Sequence, residues 1–78
     1  MSARISVLLA DDHVLVRSML HERLLREGMA IAGLASSGQH AIELAAEMLP
    51  DVAVLDIDMP GISAFEAARR VRIESPST

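Results

Sequence analysis

Three short apolar runs, each followed by a stretch with helical periodicity, constrain this chain more than anything else in it. Residues 5–10 read ISVLLA, residues 29–35 read MAIAGLA and residues 52–57 read VAVLDI. Near-continuous apolar character over so few residues is the pattern of a strand covered on both faces. In residues 14–27, Val16, Leu20 and Leu24 fall at i, i+4 and i+8, leaving Arg17, Glu22 and Arg26 for solvent. Gly28 suits the left-handed position just past a helix end. Ser36 with Gln39 resembles a capping box opening a second helix, with Ala41, Leu44, Ala45 and Met48 on one face and Pro50 closing it. Ser63 with Glu66 repeats the device for a third helix, whose inner face is expected to carry Phe65, Ala68 and Val71. Pro76 disfavours helical geometry in the residue before it, so this helix stops by Ser75 and residues 75–78 read as a linker-like tail.

The order is βαβαβα. Such a chain makes a parallel sheet with right-handed crossovers and helices on both faces, and ligands sit outside the carboxyl ends of its strands. Asp11 and Asp12 follow the first strand and Asp56 ends the third, so all three acids fall at that edge. With the first and third strands adjacent, the strand order is 2-1-3 and the acids meet. A lone acid at a strand end is ordinarily a turn residue or a helix cap, and Asp12 could cap the helix near Val14. Three acids meeting with no basic residue beside them is a different matter. Their repulsion raises the pKa of at least one unless a cation is present. Mg²⁺ takes oxygen ligands and needs only one or two protein carboxylates beside water and phosphate oxygens. The same ion would offset the charge of an incoming phosphoryl group, leaving Asp56 free to act as nucleophile.

Composition removes several alternatives. The 78 residues allow one small domain, and with Phe65 the sole aromatic its core must come from Leu, Val, Ile, Ala and Met. The absence of cysteine removes disulfides and thiolate metal sites, in keeping with a cytoplasmic protein. A net charge of −4 without a basic run argues against nucleic-acid contact by this segment. No apolar run approaches the roughly 20 residues that cross a bilayer, and MSARISVLLADD lacks the pattern of a signal peptide.

LLADDHVLVRSML together with DVAVLDIDMPGISAFEA resembles the receiver domain of bacterial two-component response regulators, the ADDHxLVR wording being most like the NarL/FixJ type. The resemblance runs from about Ile5 to the chain end. It implies a flavodoxin-like, doubly wound α/β fold truncated to βαβαβα, with residues 1–78 a partial receiver domain lacking the last two strands and helices. It implies Asp56 as acceptor of a phosphoryl group from a sensor histidine kinase, and Mg²⁺ held by Asp11, Asp12, Asp56 and the backbone carbonyl of Asp58. Met59, Pro60 and Gly61 match the family's turn after the acceptor, where proline fixes one backbone angle and glycine permits unusual ones. Where the family often has Asp-Gly, this chain has Ser63-Ala64. The family's hydroxyl residue and lysine belong to the later strands, and Thr78, with no strand before it, does not replace the former. Kinase docking on such domains favours the first helix, here Val14, Leu15, Arg17, Ser18 and Met19.

The resemblance further implies transcriptional control through a C-terminal DNA-binding domain outside this segment. The unpartnered edge of the third strand invites a homodimer or strand-exchanged dimer. Two other functions compete with the switch. One is a receiver-like dimerisation module that takes no phosphate. The other is a haloacid-dehalogenase-type phosphatase with Asp56 as nucleophile and Asp58 as general acid/base. It is disfavoured because Met59 stands where that family has Thr or Val, and because it leaves Asp11 and Asp12 without a role. His13 reads as a partly exposed residue starting the first helix and only secondarily as a metal ligand. His21 and His40 read as surface residues, and Met19, Met29, Met48 and Met59 as packing. Arg69, Arg70 and Arg72 fall on the solvent side of the last helix.

Overall fold

A computed structural model describes residues 4–78. The elements follow the expected order: β1 (Ser6–Ala10), α1 (Val14–Arg26), β2 (Ala30–Ala35), α2 (Gly38–Met48), β3 (Val52–Leu55) and α3 (Ala64–Glu74). The strands form one parallel sheet in the order β2-β1-β3. This is the flavodoxin-like arrangement, with β1 central.

Side chains of β1 alternate between the faces. Leu8 and Ala10 join Ala35, Ala41, Ile42, Ala45, Met59, Ala67 and Val71 in one buried cluster beneath α2 and α3. Val7 and Leu9, also buried, point to the opposite face, where α1 lies against β1 and β2. With both faces of β1 covered, its run needs no alternation of polar and apolar residues, which is why the sequence shows none. Gly33 on β2 is a close approach: a Cβ there would lie 3.1 Å from Leu44 Cδ1, so the absent side chain lets α2 settle on the sheet.

The helix ends are set by local chemistry, and some expectations need correction. Gly28 takes φ +86° just past α1, its N–H donating to Leu25 O while Met29 N–H donates to Leu24 O. Ser37, not Ser36, caps α2, its hydroxyl accepting from His40 N–H at 3.1 Å. Ser63 caps α3 through Glu66 N–H, also at 3.1 Å. The Glu66 carboxylate, however, does not close the box. It pairs with Arg69 through two hydrogen bonds of 3.1 and 2.6 Å, and the guanidinium beside it holds the Glu66 carboxyl below its usual range. The inward residues of α3 are Ala67 and Val71, while Phe65 is 77% exposed and Ala68 is exposed. In an alanine-rich helix one residue of rotation changes little apolar area, so periodicity alone misplaced the face.

On α1, Val16 and Leu20 are exposed and Leu24 half-buried, because α1 packs chiefly on β1 and β2. Met48 and Met19 are exposed too, whereas Met59 is core and Met29 is half-buried. His21 is half-buried rather than on the surface, and His40 is exposed. The tail is packed, not linker-like. Ser75 is fully buried, and Thr78 Oγ1 lies 2.6 Å from Ser75 Oγ and donates to Pro50 O at 2.6 Å. That contact sits at the amino end of β3, just before Val52. No helix among the described residues is long and apolar enough to cross a membrane.

Candidate functional site: an acidic rim with a histidine

The register brings the acids together. Ala10 faces Leu55 across the β1–β3 pair, and Asp56 N–H donates to Ala10 O at 2.9 Å, one rung beyond the strand. On the other flank Asp11 N–H donates to Ala35 O at 3.0 Å. The third strand therefore ends at Leu55 rather than Ile57, and Asp56 opens a turn at the same rim as Asp11. Ligand atoms of Asp11, Asp12, His13 and Asp56 all lie within 4.8 Å of one another.

Burial differs along the rim. The side chain of Asp11 is 9% exposed, that of Asp56 26%, that of Asp12 31% and that of His13 63%. Asp11 is also the most fully bonded: its Oδ1 accepts from His13 N–H at 2.8 Å and lies 3.1 Å from His13 Nδ1. Asp12 has its Oδ1 3.1 Å from the same nitrogen. It is not the cap of α1, because His13 holds the N-cap position with no side-chain cap hydrogen bond. Asp56 Oδ2 stands 3.8 Å from His13 Nδ1, and Oδ1 accepts from Asp58 N–H at 3.3 Å. That bond curls the turn back over the carboxylate, with Asp58 itself exposed. Met59 then drops into the core, and Gly61 takes φ +90°, a conformation that a side chain would strain.

Two basic groups stand where none was expected. His13 lies among the three carboxylates, and Arg17, half-buried rather than free in solvent, donates from Nη1 to Asp11 O at 2.7 Å. The electrostatics follow. The backbone hydrogen bond from His13 holds the Asp11 carboxyl below its usual range against the opposing effect of burial. The hydrogen bond from Asp11, reinforced by the charge of Asp12, raises the His13 imidazole. The expected upward shift thus gives way to a downward one at Asp11, because a backbone N–H donor outweighs burial there. Sequence reasoning placed His13 at the helix start but not its ring. A histidine directly after two rim acids, at an N-cap position that leaves its side chain free, was the available signal.

The remaining candidates fall as follows. Val14, Leu15, Ser18 and Met19 are exposed on the first turns of α1, immediately beyond the rim, and Arg17 is committed to Asp11. Pro60 is exposed between Met59 and Gly61. The donor set of three carboxylates and one imidazole, converging at a partly exposed rim, fits a divalent cation.

Fold and rim together define a doubly wound α/β domain with an acidic cluster, compatible with a divalent cation, at the carboxyl ends of adjacent strands. Comparison with known proteins makes the class specific: the response regulator receiver domain family matches residues 7–78, and the chain belongs to that family. It is 41% identical over 73 residues to the response regulator GacA of Pseudomonas aeruginosa, covering 92% of this chain and 34% of GacA. With the transcriptional regulatory protein AfsQ1 of Streptomyces coelicolor it shares 42% identity over 67 residues, 86% of this chain and 29% of the relative. Among solved structures, the receiver domain of the response regulator NarL from Mycobacterium tuberculosis superposes with a TM-score of 0.84 at 36% identity, over 92% of this chain and 59% of that one. The chain thus spans about a third of the curated relatives' length.

Proposed function

We propose that this chain is the phosphoacceptor part of a two-component switch. Asp56 accepts a phosphoryl group from the phosphohistidine of a sensor histidine kinase, in a step that needs Mg²⁺. The observation that carries this reading is the convergence of Asp56 with Asp11 and Asp12 at one rim, within the span of a single cation's ligands. Asp11 and Asp12 would hold the ion with one oxygen of Asp56 and the backbone carbonyl of Asp58. Bound there, the ion supplies positive charge against the equatorial oxygens of the transferring group.

The protein's own part is positioning. The second Asp56 oxygen attacks phosphorus as the P–N bond to the kinase imidazole breaks, giving an acyl phosphate. The Asp58 N–H fixes the carboxylate's orientation, and the core anchorage of Met59 and the turn at Pro60 and Gly61 keep that donor in place. Val14, Leu15, Ser18 and Met19, next to the rim, offer an exposed apolar surface for the kinase, with Arg17 at its inner border. The acyl phosphate then shifts a conformational equilibrium. In this reading residues 1–78 form part of a receiver domain of a cytoplasmic regulator. Its transcriptional output is carried by a C-terminal DNA-binding domain in the further length that relatives such as AfsQ1 possess. The free edge of β3 supports pairing with a second copy.

Incubation with acetyl phosphate and Mg²⁺, followed by intact-mass measurement, tests the proposal. The expected result is one labile phosphate, absent in Asp56→Asn and retained in Asp58→Asn. Steady turnover of small phosphate esters that is lost in Asp58→Asn would instead support a dehalogenase-type phosphatase. A protein that neither gains phosphate nor turns it over would be a dimerisation module.

A further inference from the structure

We infer that Arg17 is a positioning residue for Mg²⁺-dependent phosphorylation, its guanidinium holding the peptide between Asp11 and Asp12 so that the Asp12 carboxylate stays in place for the ion. This rests on the receiver reading for the identity of the ion and of the acceptor, Asp56. The starting point is the face of α1 that meets the sheet. Along α1 only Arg17, His21 and Leu24 are half-buried, at i, i+4 and i+7, while Val16, Met19 and Leu20 are exposed. The inward face thus begins with a cation where an apolar residue would pack better. Arg23, Arg26 and Arg69 each pair with a glutamate of their own helix. Arg17 instead donates from Nη1 to a main-chain oxygen outside its helix, Asp11 O, at 2.7 Å.

Helical side chains lean toward the helix N-terminus, so Arg17, one turn into α1, reaches back over the loop that precedes it. Its own N–H donates to His13 O at 2.9 Å. One residue therefore closes both ends of the loop bearing Asp11, Asp12 and His13, and α1 has no side-chain cap to do so instead. Asp11 O and Asp12 N lie in one rigid peptide plane. Asp11 N–H, bonded to Ala35 O at 3.0 Å, fixes the chain before that plane, and Arg17 fixes the plane itself. Among the described residues the Asp12 carboxylate has one ion pair, to His13 Nδ1 at 3.1 Å, and accepts no hydrogen bond. Its place accordingly follows the backbone that carries it.

Charge and geometry predict opposite outcomes when Arg17 is neutralised. Removing a half-exposed cation beside three carboxylates would by itself draw Mg²⁺ in more tightly, whereas releasing the Asp11–Asp12 peptide would weaken binding. The test compares wild type with Arg17→Met, which keeps much of the apolar stem, and with Arg17→Gln as a second neutral variant. Mg²⁺ titration followed by amide chemical shifts gives the dissociation constant. Phosphorylation by acetyl phosphate across a range of Mg²⁺ gives the half-saturating concentration and the plateau rate, with kinase docking kept out of the comparison. We expect both variants to bind Mg²⁺ about tenfold more weakly and to need about tenfold more for half-saturation, with the plateau rate within about threefold of wild type. Unchanged or tighter Mg²⁺ binding would overturn the inference and leave Arg17 a counter-charge. A fall in plateau rate at an unmoved half-saturation would overturn it too. If wild type binds Mg²⁺ but Asp56 takes no phosphate, the phosphoacceptor reading falls and so does a positioning role in it. If phosphorylation of wild type proceeds and only the variants' Mg²⁺ dependence is unaltered, that reading stands and the role of Arg17 alone falls.

Discussion

Replacing Gly38 by alanine probes the close approach of α2 to α3 and to the loop beside the acidic rim. Gly38 is the first residue of α2 and is buried. A Cβ there would lie 2.9 Å from Ile62 Cγ1, 3.3 Å from Ile62 Cδ1 and 3.2 Å from Ala67 Cβ. Two effects oppose one another. Alanine in place of glycine lowers the entropy of the unfolded chain and favours the helix by about 0.5–1 kcal/mol. An added carbon in a filled space costs about 1–3 kcal/mol. Ile62 can turn about its side-chain bonds, but the Ala67 methyl is fixed to the backbone of α3 and can yield only if that helix moves. The steric effect should therefore win by about 1–2 kcal/mol. In urea, where a domain of this size loses about 1 kcal/mol of stability per molar denaturant, the midpoint should fall by about 1–2 M. Ile62→Ala in the same chain should remove part of the clash, so the double variant should be more stable than the two single losses summed. A midpoint at or above wild type for Gly38→Ala would refute the contact argument, because helix propensity alone would then decide. Gly28→Ala is the control: its Cβ meets nothing within 4 Å, but φ is +86°, so its loss of about 1 kcal/mol should be insensitive to every neighbour.

Three further outcomes follow from the same geometry. Ser37→Ala should lower stability by about 1 kcal/mol and Ser36→Ala by less than about 0.5 kcal/mol, measured by urea unfolding, since only Ser37 accepts from the helix. Leu49 closes α2 at φ +49° with 58% of its surface exposed, so Leu49→Gly should gain about 1 kcal/mol, seen as a rise in Tm of several degrees. Val54 lies on the edge strand β3 at 41% exposure, and Val54→Lys should reduce self-association in sedimentation velocity without lowering the monomer's Tm by more than a few degrees.

The sheet was legible because its strands announce themselves by continuity: residues 5–10 and 52–55 carry no partial amphipathicity that could mislead. Strand order was less legible from pattern: placing β1 beside β3 lets Asp11, Asp12 and Asp56 meet, and the observed order 2-1-3 does so. Faces of helices were less legible. Periodicity finds a stripe when its residues are bulky, and α3 offers Ala64, Ala67 and Ala68 within five positions, so the one large residue, Phe65, drew the stripe to the wrong side. Ser36 and Ser37 are adjacent candidates for one cap, and only the turn of the preceding backbone selects between them. At the rim, the carboxylates could be placed from strand ends alone. His13 could not, because its ring direction depends on a hydrogen bond from its own backbone to Asp11.

Met59 carries a dynamic consequence. Its side chain belongs to the buried core cluster, one residue after Asp58 and two before Gly61. It works as a peg: the segment from 57 to 62 cannot swing away from the rim until the thioether is drawn into water. At about 2 kcal/mol for that extraction, the withdrawn form would occupy only a few hundredths of the molecules at rest. A chemical event at Asp56 that loosened the peg by the same amount would bring the two forms to near parity.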